Sequence, residues 1–256
     1  MSRPLPDPAA LPPLGSVARS AMLLRAFPLE QTDPAAFYSL LAADSVRQVA
    51  HYQPLAGLTL LDVGGGPGYF ADAFRAAGAR YVGLDADVGE LSLHGRSVAR
   101  DTVLGSGLQL PFRDGALDVC YSSNVLEHVP QPERMADEMV RVTAKGGLVF
   151  LSYNNWLAPN GGHETAPWHY LGGRYAADRY ASRQGKRPKN EYGTSLFRTS
   201  VAQMLRWTRD RQRAGVVQVV DVRPRYHPDW ARWVVAVPGL REVVTWNLAL
   251  VLRVPL

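Results

Sequence analysis

Apolar and polar residues alternate in blocks through the middle of the chain. Short apolar runs predict strands, and the segments between them, with apolar residues three or four apart, predict helices. The predicted strands are 58–63, 80–85, 102–104, 116–123 and 148–153. The predicted helices are 67–77, 88–99 and 132–143. Because the strands are apolar along nearly their whole length, we expect a parallel sheet that helices bury on both faces.

Further elements flank this alternation. Helical spacing predicts two helices near the start and one near the end: 16–27, 34–51 and 199–213. Two more apolar runs predict strands: 216–222 and 246–254. Asp33 stands before Pro34, where it can cap the second helix. The pattern as a whole predicts an α/β fold with a doubly wound sheet of seven strands.

The predicted elements divide the chain into two unequal parts. Residues 1–55 form a proline-rich tail and a helical segment, and residues 56–256 form the α/β domain. Two insertions interrupt the alternation, at about 155–198 and 224–245. Loops of more than about 15 residues without regular structure are usually functional. We therefore expect the insertions to line a binding site.

A glycine-rich turn follows the first predicted strand. It contains Asp62, Gly64, Gly65, Gly66 and Gly68. Glycines let the backbone turn sharply and come close to a ligand, and the helix that follows presents its N-terminus to that ligand. Pro67 suits the first turn of this helix because its φ angle is fixed. The dinucleotide fingerprint G-x-G-x-x-G would require glycine at position 69, where the chain has Tyr69.

Asp85 ends the second predicted strand, seventeen residues after Gly68. A carboxylate at this place can accept hydrogen bonds from both hydroxyl groups of a ribose. The alternative is an exposed acid at the end of a strand. The glycine turn favours the ligand role, because both features lie at the carboxyl edge of the same sheet.

These motifs resemble those of a known family. The order Asp62, Gly64, Gly66, Gly68 is similar to motif I of the class I S-adenosylmethionine-dependent methyltransferases. The stretch 108–147, which includes Ser-Asn-Val-Leu-Glu-His-Val, looks like the signature of the UbiE/UbiG-like methyltransferases (methyltransferase type 11). The resemblance covers about 58–153. It implies a Rossmann-like, mostly parallel sheet with a reversed final hairpin, and S-adenosyl-L-methionine as cofactor.

The resemblance also implies roles for single residues. Asp62 would hold the methionine amino group, directly or through water. Two further segments would line the adenine and the methionine part respectively: Ser106, Gly107 and Leu108, then Ser123 and Asn124. The family usually has aspartate where this chain has Ser106. The N-terminal helices would lie over the cofactor cleft as a lid, and the alternative is that they only cover the edge of the sheet.

Candidate bases follow the fourth and fifth predicted strands. Methyl transfer from a sulfonium is an in-line displacement in which positioning supplies much of the rate. A hydroxyl acceptor also benefits from a base or a metal that removes its proton. The side chains suited to this work are His128 after the fourth strand and, after the fifth, His163, Glu164 and His169. A structural hydrogen bond is the alternative for each histidine.

No metal site and no disulfide are expected. In UbiG-like enzymes carboxylates near Glu127 can hold a divalent metal, but this chain has Asn124 at the earlier acidic position. The chain has one cysteine, Cys120, in an apolar run, so we expect a packed core thiol. No apolar run approaches the roughly 20 residues of a membrane helix, and we expect a cytoplasmic protein.

The net charge of +5 is unevenly distributed. Residues 174–225 hold thirteen basic and four acidic side chains, so the rest of the chain carries a net charge of −4. Such asymmetry suits a nucleic acid, an anionic membrane, an acidic substrate or only a solvated surface. The sequences Asn-Pro-Pro-Tyr, Asp-Pro-Pro-Tyr and Pro-Cys, typical of base-modifying methyltransferases, do not follow the fourth strand. Their absence argues against a nucleic acid partner.

These observations lead to one main hypothesis. We expect methyl transfer to an oxygen of a small metabolite, lipid or glycan. An RNA or protein methyltransferase and a non-catalytic regulatory protein that binds the cofactor are the alternatives. Trp230, Trp233, Arg232 and Arg241 make the second insertion amphipathic, which suits a substrate lid, peripheral contact with an anionic membrane, or a core or dimer interface.

Overall fold

The strands form one seven-stranded sheet in a computed structural model that describes residues 10–86 and 101–256. They are β1 Thr59–Val63, β2 Arg80–Asp85, β3 Thr102–Leu104, β4 Leu117–Ser123, β5 Thr143–Asn154, β6 Gln218–Pro224 and β7 Asn247–Arg253. Their spatial order is β3-β2-β1-β4-β5-β7-β6. Strand β7 runs antiparallel to β5 and β6, and the other pairs are parallel. The expected Rossmann-like, mostly parallel fold is confirmed.

Both faces of the sheet are buried, as the continuous apolar strands predict. Neighbouring residues of a strand point to opposite faces. One face packs into a core that includes Leu61, Cys120, Leu151 and Leu250. The other face packs into a core that includes Leu60, Val119, Phe150 and Val251. Cys120 is a free, buried thiol, and burial raises its pKa. It is therefore a packing residue.

Helices flank this sheet. They are α1 Val17–Ala26, α2 Leu29–Thr32, α3 Pro34–Tyr52, α4 Tyr69–Ala76, and then Pro132–Val142, Gly173–Gln184, Val201–Arg213 and Leu240–Val244. The Asp33 side chain accepts a 3.2 Å hydrogen bond from the Ala36 N–H, so the predicted cap of α3 is confirmed. The helix predicted at 88–99 lies outside the described residues. No described helix is long and apolar enough to span a membrane.

The N-terminal helices pack on the sheet and also reach the glycine turn. Val49 of α3 belongs to the same core as Phe74 and Tyr121. Tyr38 of α3 stacks on Tyr69 at the start of α4, with ring centroids 5.0 Å apart. Helix α3 therefore covers one face of the sheet, and a role of the N-terminal helices as a lid over the cofactor cleft stays a prediction.

Several predicted boundaries differ from the structure. Helix α4 begins at Tyr69, because Gly68 adopts a left-handed φ of 78° as its N-cap, so Pro67 lies in the turn before the helix. Strand β5 already begins at Thr143. Its first residues, before the predicted start at residue 148, include an irregularity, where the partner register jumps between Leu117 and Val119. Strand β6 begins two residues later than predicted.

Candidate active site

The glycine turn is tied to the neighbouring strand at the carboxyl edge of the sheet. The N–H groups of Gly64 and Gly65 donate to the Leu84 carbonyl, over 2.7 and 3.2 Å. Gly64, Gly66 and Gly68 have φ angles of 79°, 50° and 78°. Side chains disfavour these left-handed conformations. A Cβ atom on Gly64 would also lie 2.3 Å from Val125 Cγ2, so the turn passes close to the end of β4.

The two acidic residues of the predicted cofactor site lie against this turn. Asp85 Oδ2 accepts a 3.0 Å hydrogen bond from the Gly66 N–H. Asp62 is 2% exposed and accepts a 2.8 Å hydrogen bond from the Tyr81 hydroxyl. Burial, and to a smaller extent the charge of Asp85, raises the pKa of Asp62 to about 7, against the lowering effect of the Tyr81 hydrogen bond. A cationic ligand group beside Asp62 would favour its charged form, which fits the ammonium group of the expected cofactor.

The segment expected to line the adenine follows β3. Ser106 is exposed, and its Oγ accepts a 3.2 Å hydrogen bond from the Leu108 N–H. Its hydroxyl proton can still be donated. Gly107 packs against Val63 at the end of β1, where a Cβ atom would lie 3.2 Å from Val63 Cγ1. Ser106–Leu108 and the glycine turn therefore border the same region.

Ser123 ends β4 and Asn124 follows it, and polar side chains of Arg225, just after β6, and of Asn247 in β7 hold them. Asn124 has a left-handed φ of 57°, which asparagine tolerates better than most residues. Its Oδ1 accepts a 2.7 Å hydrogen bond from Asn247 Nδ2 at the start of β7. Ser123 Oγ accepts a hydrogen bond from Arg225. These contacts fix the backbone where the methionine part of the cofactor is expected.

Arg225 is a buried residue that the sequence interpretation missed. It is 1% exposed, and its guanidinium donates to four hydroxyl groups: Ser45, Tyr121, Ser123 and Ser152. Burial opposes its charge, but Tyr226, Tyr121 and Asp44 outweigh this effect and raise its pKa. The Arg225 carbonyl accepts from Arg19, which forms a buried 2.6 Å ion pair with Asp44. Hydropathy alone would have placed Arg225 on the surface.

A histidine and a glutamate follow Ser123 and Asn124 in a short 3-10 turn, Leu126–His128. His128 Nδ1 lies 2.7 Å from the Ser195 carbonyl, which only accepts hydrogen bonds. Nδ1 must therefore carry a proton, so that in the neutral form of the ring the lone pair is on Nε2. Glu127 is 1% exposed; its Oε1 accepts from the Asn154 N–H at 3.1 Å. Burial raises the pKa of Glu127, against the lowering effect of His128.

The turn after β5 brings His163 to this pair. The rings of His128 and His163 are 5.2 Å apart, centroid to centroid, in an edge-to-face arrangement. One carboxylate oxygen or ring nitrogen of each of Glu127, His128 and His163 lies within 4.8 Å of the other two. We call these three residues the His–Glu cluster. Burial, with a smaller effect of His128, lowers the pKa of His163 to about 4, so this imidazole is neutral at pH 7.

Two other predicted bases point elsewhere. Both oxygens of Glu164 accept from Asn190, at 2.8 Å from its N–H and 2.9 Å from Nδ2. Burial alone would raise the pKa of Glu164, but these hydrogen bonds outweigh burial and lower it. His169 Nε2 lies 3.2 Å from the Ala158 carbonyl, and its ring contacts Gly162, where a Cβ atom would lie 2.5 Å from His169 Cγ. Glu164 and His169 thus shape the turn that presents His163.

The basic stretch 174–225 is not a continuous free surface. Arg187 pairs with Asp178 and Glu191, and Arg211 pairs with Asp137 over 2.6 Å. Arg225 is buried. The number of basic side chains in this stretch is therefore larger than the number that a polyanion could contact.

Comparisons with known proteins agree with this geometry. A family model described as a methyltransferase domain matches residues 61–151. A protein of Mycobacterium avium (strain 104), described as an uncharacterized methyltransferase, is 51% identical over 247 residues, covering 93% of this chain and 96% of that protein. A Mycolicibacterium gilvum protein with the same description is also 51% identical over 247 residues, covering 93% of this chain and 95% of its own.

Two solved structures share the fold. The S-adenosylmethionine-dependent methyltransferase of Mesorhizobium loti has a TM-score of 0.55 at 20% identity, covering 82% of this chain and 95% of that chain. The geranyl diphosphate C-methyltransferase of Streptomyces coelicolor A3(2), solved with S-adenosyl-L-homocysteine, has a TM-score of 0.52 at 16% identity, covering 96% of this chain and 87% of that chain.

Proposed function

Because this chain belongs to the S-adenosylmethionine-dependent methyltransferase family, we propose that it methylates an oxygen atom of a small metabolite, lipid or glycan. The cofactor is S-adenosyl-L-methionine. It supplies a methyl group on a positively charged sulfur, so that an S–C bond breaks and an O–C bond forms. The protein must place the acceptor oxygen in line with that bond and remove the hydroxyl proton.

The observation that carries this proposal is the His–Glu cluster. It follows β4 and β5 at the edge of the sheet where β1 and β2 present the glycine turn and Asp85. His128 has a fixed tautomer, so its Nε2 lone pair can accept a proton. We therefore assign hydroxyl activation to the cluster, with Glu164 and His169 as residues that support it.

For the cofactor half of the site we propose the assignments that the family resemblance implies. Asp62 binds the methionine ammonium and Asp85 binds the ribose. The adenine lies along Ser106, Gly107 and Leu108, and Ser123 and Asn124 lie beside the methionine part. The contacts around the glycine turn and the raised pKa of Asp62 support this arrangement.

A labelled-methyl screen tests the acceptor class. The protein is incubated with S-adenosylmethionine labelled in the methyl group and with fractionated extract of the source organism. We expect label in a low-molecular-weight or lipid fraction, on oxygen by mass spectrometry and NMR. Label on carbon or nitrogen would refute the oxygen assignment.

The two alternatives predict other outcomes in the same screen. An RNA or protein methyltransferase would label polymer, with binding that weakens steeply as salt rises. The ion pairs of Arg187 and Arg211 argue against this reading. A non-catalytic regulatory protein would bind S-adenosylmethionine and label nothing. Peripheral contact with an anionic membrane stays compatible with a lipid acceptor, since Trp230 and Trp233 are exposed.

A further inference from the structure

The first insertion surrounds a cavity of about 580 Å³. Small-molecule sites in proteins commonly have volumes of about 300–1,000 Å³. The rings of Trp156 and Tyr192 lie 5.0 Å apart in its wall, and Gly173 packs so closely on Tyr192 that a Cβ atom would lie 2.2 Å from its Cγ. The aromatic and cationic residues that line the cavity are Trp156, Tyr170, Tyr175, Tyr192, Arg174 and Arg198. The cavity therefore combines the size of a ligand site with aromatic surface and positive charge.

The two arginines of this wall have no acidic partner. Neither Arg174 nor Arg198 forms an ion pair or a hydrogen bond with another described residue. The acidic residues nearest to them in sequence are Asp178 and Glu191, and both of these pair with Arg187. Among the described residues that line the cavity, none is acidic. Two positive charges are therefore available to an anionic ligand, and guanidinium groups match phosphate oxygens in geometry.

A short segment of the chain connects this cavity to the His–Glu cluster. The Ser195 carbonyl lies 2.7 Å from His128 Nδ1. The Phe197 N–H donates a 2.8 Å hydrogen bond to the Glu127 carbonyl. Arg198 follows, three residues after Ser195, and three residues of extended chain span at most about 11 Å. The cavity and the cluster are therefore close enough for one acceptor molecule to reach both.

We infer that this cavity binds a phosphorylated sugar that is part of the methyl acceptor, with its phosphate on Arg174 and Arg198. A phosphate monoester carries a charge of about −1.5 to −2 at pH 7, which matches two arginines better than the single charge of a carboxylate does. Tyrosine rings offer an apolar face to the C–H groups of a sugar ring and a hydroxyl group to its oxygens. The role of this sugar as the acceptor rests on the proposed function, whereas its binding does not.

Calorimetry with glucose 6-phosphate tests the inference. Full-length protein saturated with S-adenosylhomocysteine is titrated with glucose 6-phosphate and, separately, with glucuronate and glucose. We expect one glucose 6-phosphate per chain, bound less tightly as salt rises, and at least about tenfold weaker binding of the other two sugars. Glucuronate or glucose bound as tightly as glucose 6-phosphate would overturn the phosphate assignment.

Vesicles test whether a lipid carries the phosphorylated ring. Phosphatidylcholine vesicles with phosphatidylinositol 4-phosphate present a phosphate monoester on a ring, and vesicles with phosphatidylinositol lack that monoester. Cosedimentation that requires the monoester would support the site and assign it to a lipid head group. A protein that binds neither glucose 6-phosphate at millimolar concentration nor the monoester vesicles in preference to the others would overturn the inference.

Variants then locate the phosphate. Arg174→Gln and Arg198→Gln should each weaken glucose 6-phosphate binding by about tenfold or more. Arg183→Gln is the matched control, because Arg183 is exposed on the same helix as Arg174, Gly173–Gln184, and does not line the cavity; it should bind as the wild type does. Thermal unfolding shows which variants are folded. If folded Arg174→Gln and Arg198→Gln both bind as tightly as the wild type, the assignment is wrong.

The outcomes separate the inference from the proposed function. Glucose 6-phosphate binding that requires Arg198, in a protein that methylates no oxygen, would support the site and refute the function. Oxygen methylation of an acceptor without phosphate, at the same kcat/KM in wild type and Arg198→Gln, would leave the proposed function intact and refute the inference.

Discussion

We expect cofactor binding to depend on pH through Asp62, whose pKa is raised. The carboxyl is 2% exposed and has a pKa of about 7, chiefly because burial disfavours its charge. If it binds the cofactor ammonium, only its ionised form makes a charge-assisted hydrogen bond. Binding should therefore release a proton and tighten as pH rises through 7. The contribution of the Asp62 charge to the affinity is present above this pH and is lost below it.

The magnitude follows from the fraction of Asp62 that is ionised. With a pKa of about 7, about 9% is ionised at pH 6 and about 76% at pH 7.5. We therefore expect the affinity for S-adenosylhomocysteine to increase about eightfold over this interval. Asp62→Asn carries no charge at either pH. It should lose the slope and bind about 10–100-fold more weakly at pH 7.5, the cost of a charged hydrogen bond.

Isothermal titration calorimetry measures both quantities. S-adenosylhomocysteine is titrated into wild type and Asp62→Asn at pH 6 and pH 7.5, each in two buffers of different ionisation enthalpy, which report the released proton. A wild-type dissociation constant that is the same at both pH values would refute the assignment. So would an Asp62→Asn variant that keeps the wild-type slope.

Three further predictions concern the fold around the site. Gly64→Ala should destabilise the protein by about 1–3 kcal/mol and abolish cofactor binding, because φ is 79° and the new Cβ would clash with Val125. Chemical denaturation measures the stability and calorimetry the cofactor affinity, and near-wild-type values of both would contradict this prediction. Arg225→Met should cost about 3 kcal/mol or more, because three buried hydroxyl groups and the half-buried one of Ser123 lose their donor; a urea midpoint equal to wild type would show that the network does not contribute to stability. Asp33→Ala should cost about 1 kcal/mol of stability, because α3 loses its N-cap. Asp33→Asn is the control, since asparagine caps a helix nearly as well. Equal stability of wild type and both variants would exclude the capping role.

The sheet could be predicted from the sequence because burial on both faces requires continuous apolar runs. β2 and β3 have the predicted bounds, and β4 begins one residue later. The start of β5 could not be predicted in this way. It includes the glycines of an irregular stretch, in which Gly146 has a φ of 75° and donates to the Val254 carbonyl. A glycine in a sequence suggests a turn. It does not show whether the chain leaves the sheet there or only forms a bulge within a strand.

Some residues of the candidate site could likewise be predicted from the sequence, and others could not. Asp62, the glycines and Asp85 are set by local spacing at the ends of neighbouring strands, so their grouping could be predicted. The contact between His128 and His163 joins residues from the ends of β4 and β5 through an irregular turn. Glu164 is adjacent to His163 and has suitable chemistry, yet it points to Asn190. Residue type and proximity in sequence cannot decide between two such side chains.

The burial of Arg225 could not be predicted from the sequence either. Arginine is rarely buried, and a charge count treats each arginine of 174–225 alike. Its burial depends on hydroxyl groups from α3, β4 and β5, which lie far apart in sequence. Only the assembled sheet brings these groups together.

Substitution of His128 separates cofactor binding from chemistry. Once an acceptor is identified, wild type and His128→Ala are compared for S-adenosylhomocysteine affinity and for methyl transfer at saturating cofactor. We expect equal affinity and a turnover at least about a hundredfold lower in the variant, because a positioned acid–base group usually contributes at least this much. Turnover equal to the wild type would contradict it, because the His–Glu cluster would then have no part in activating the acceptor.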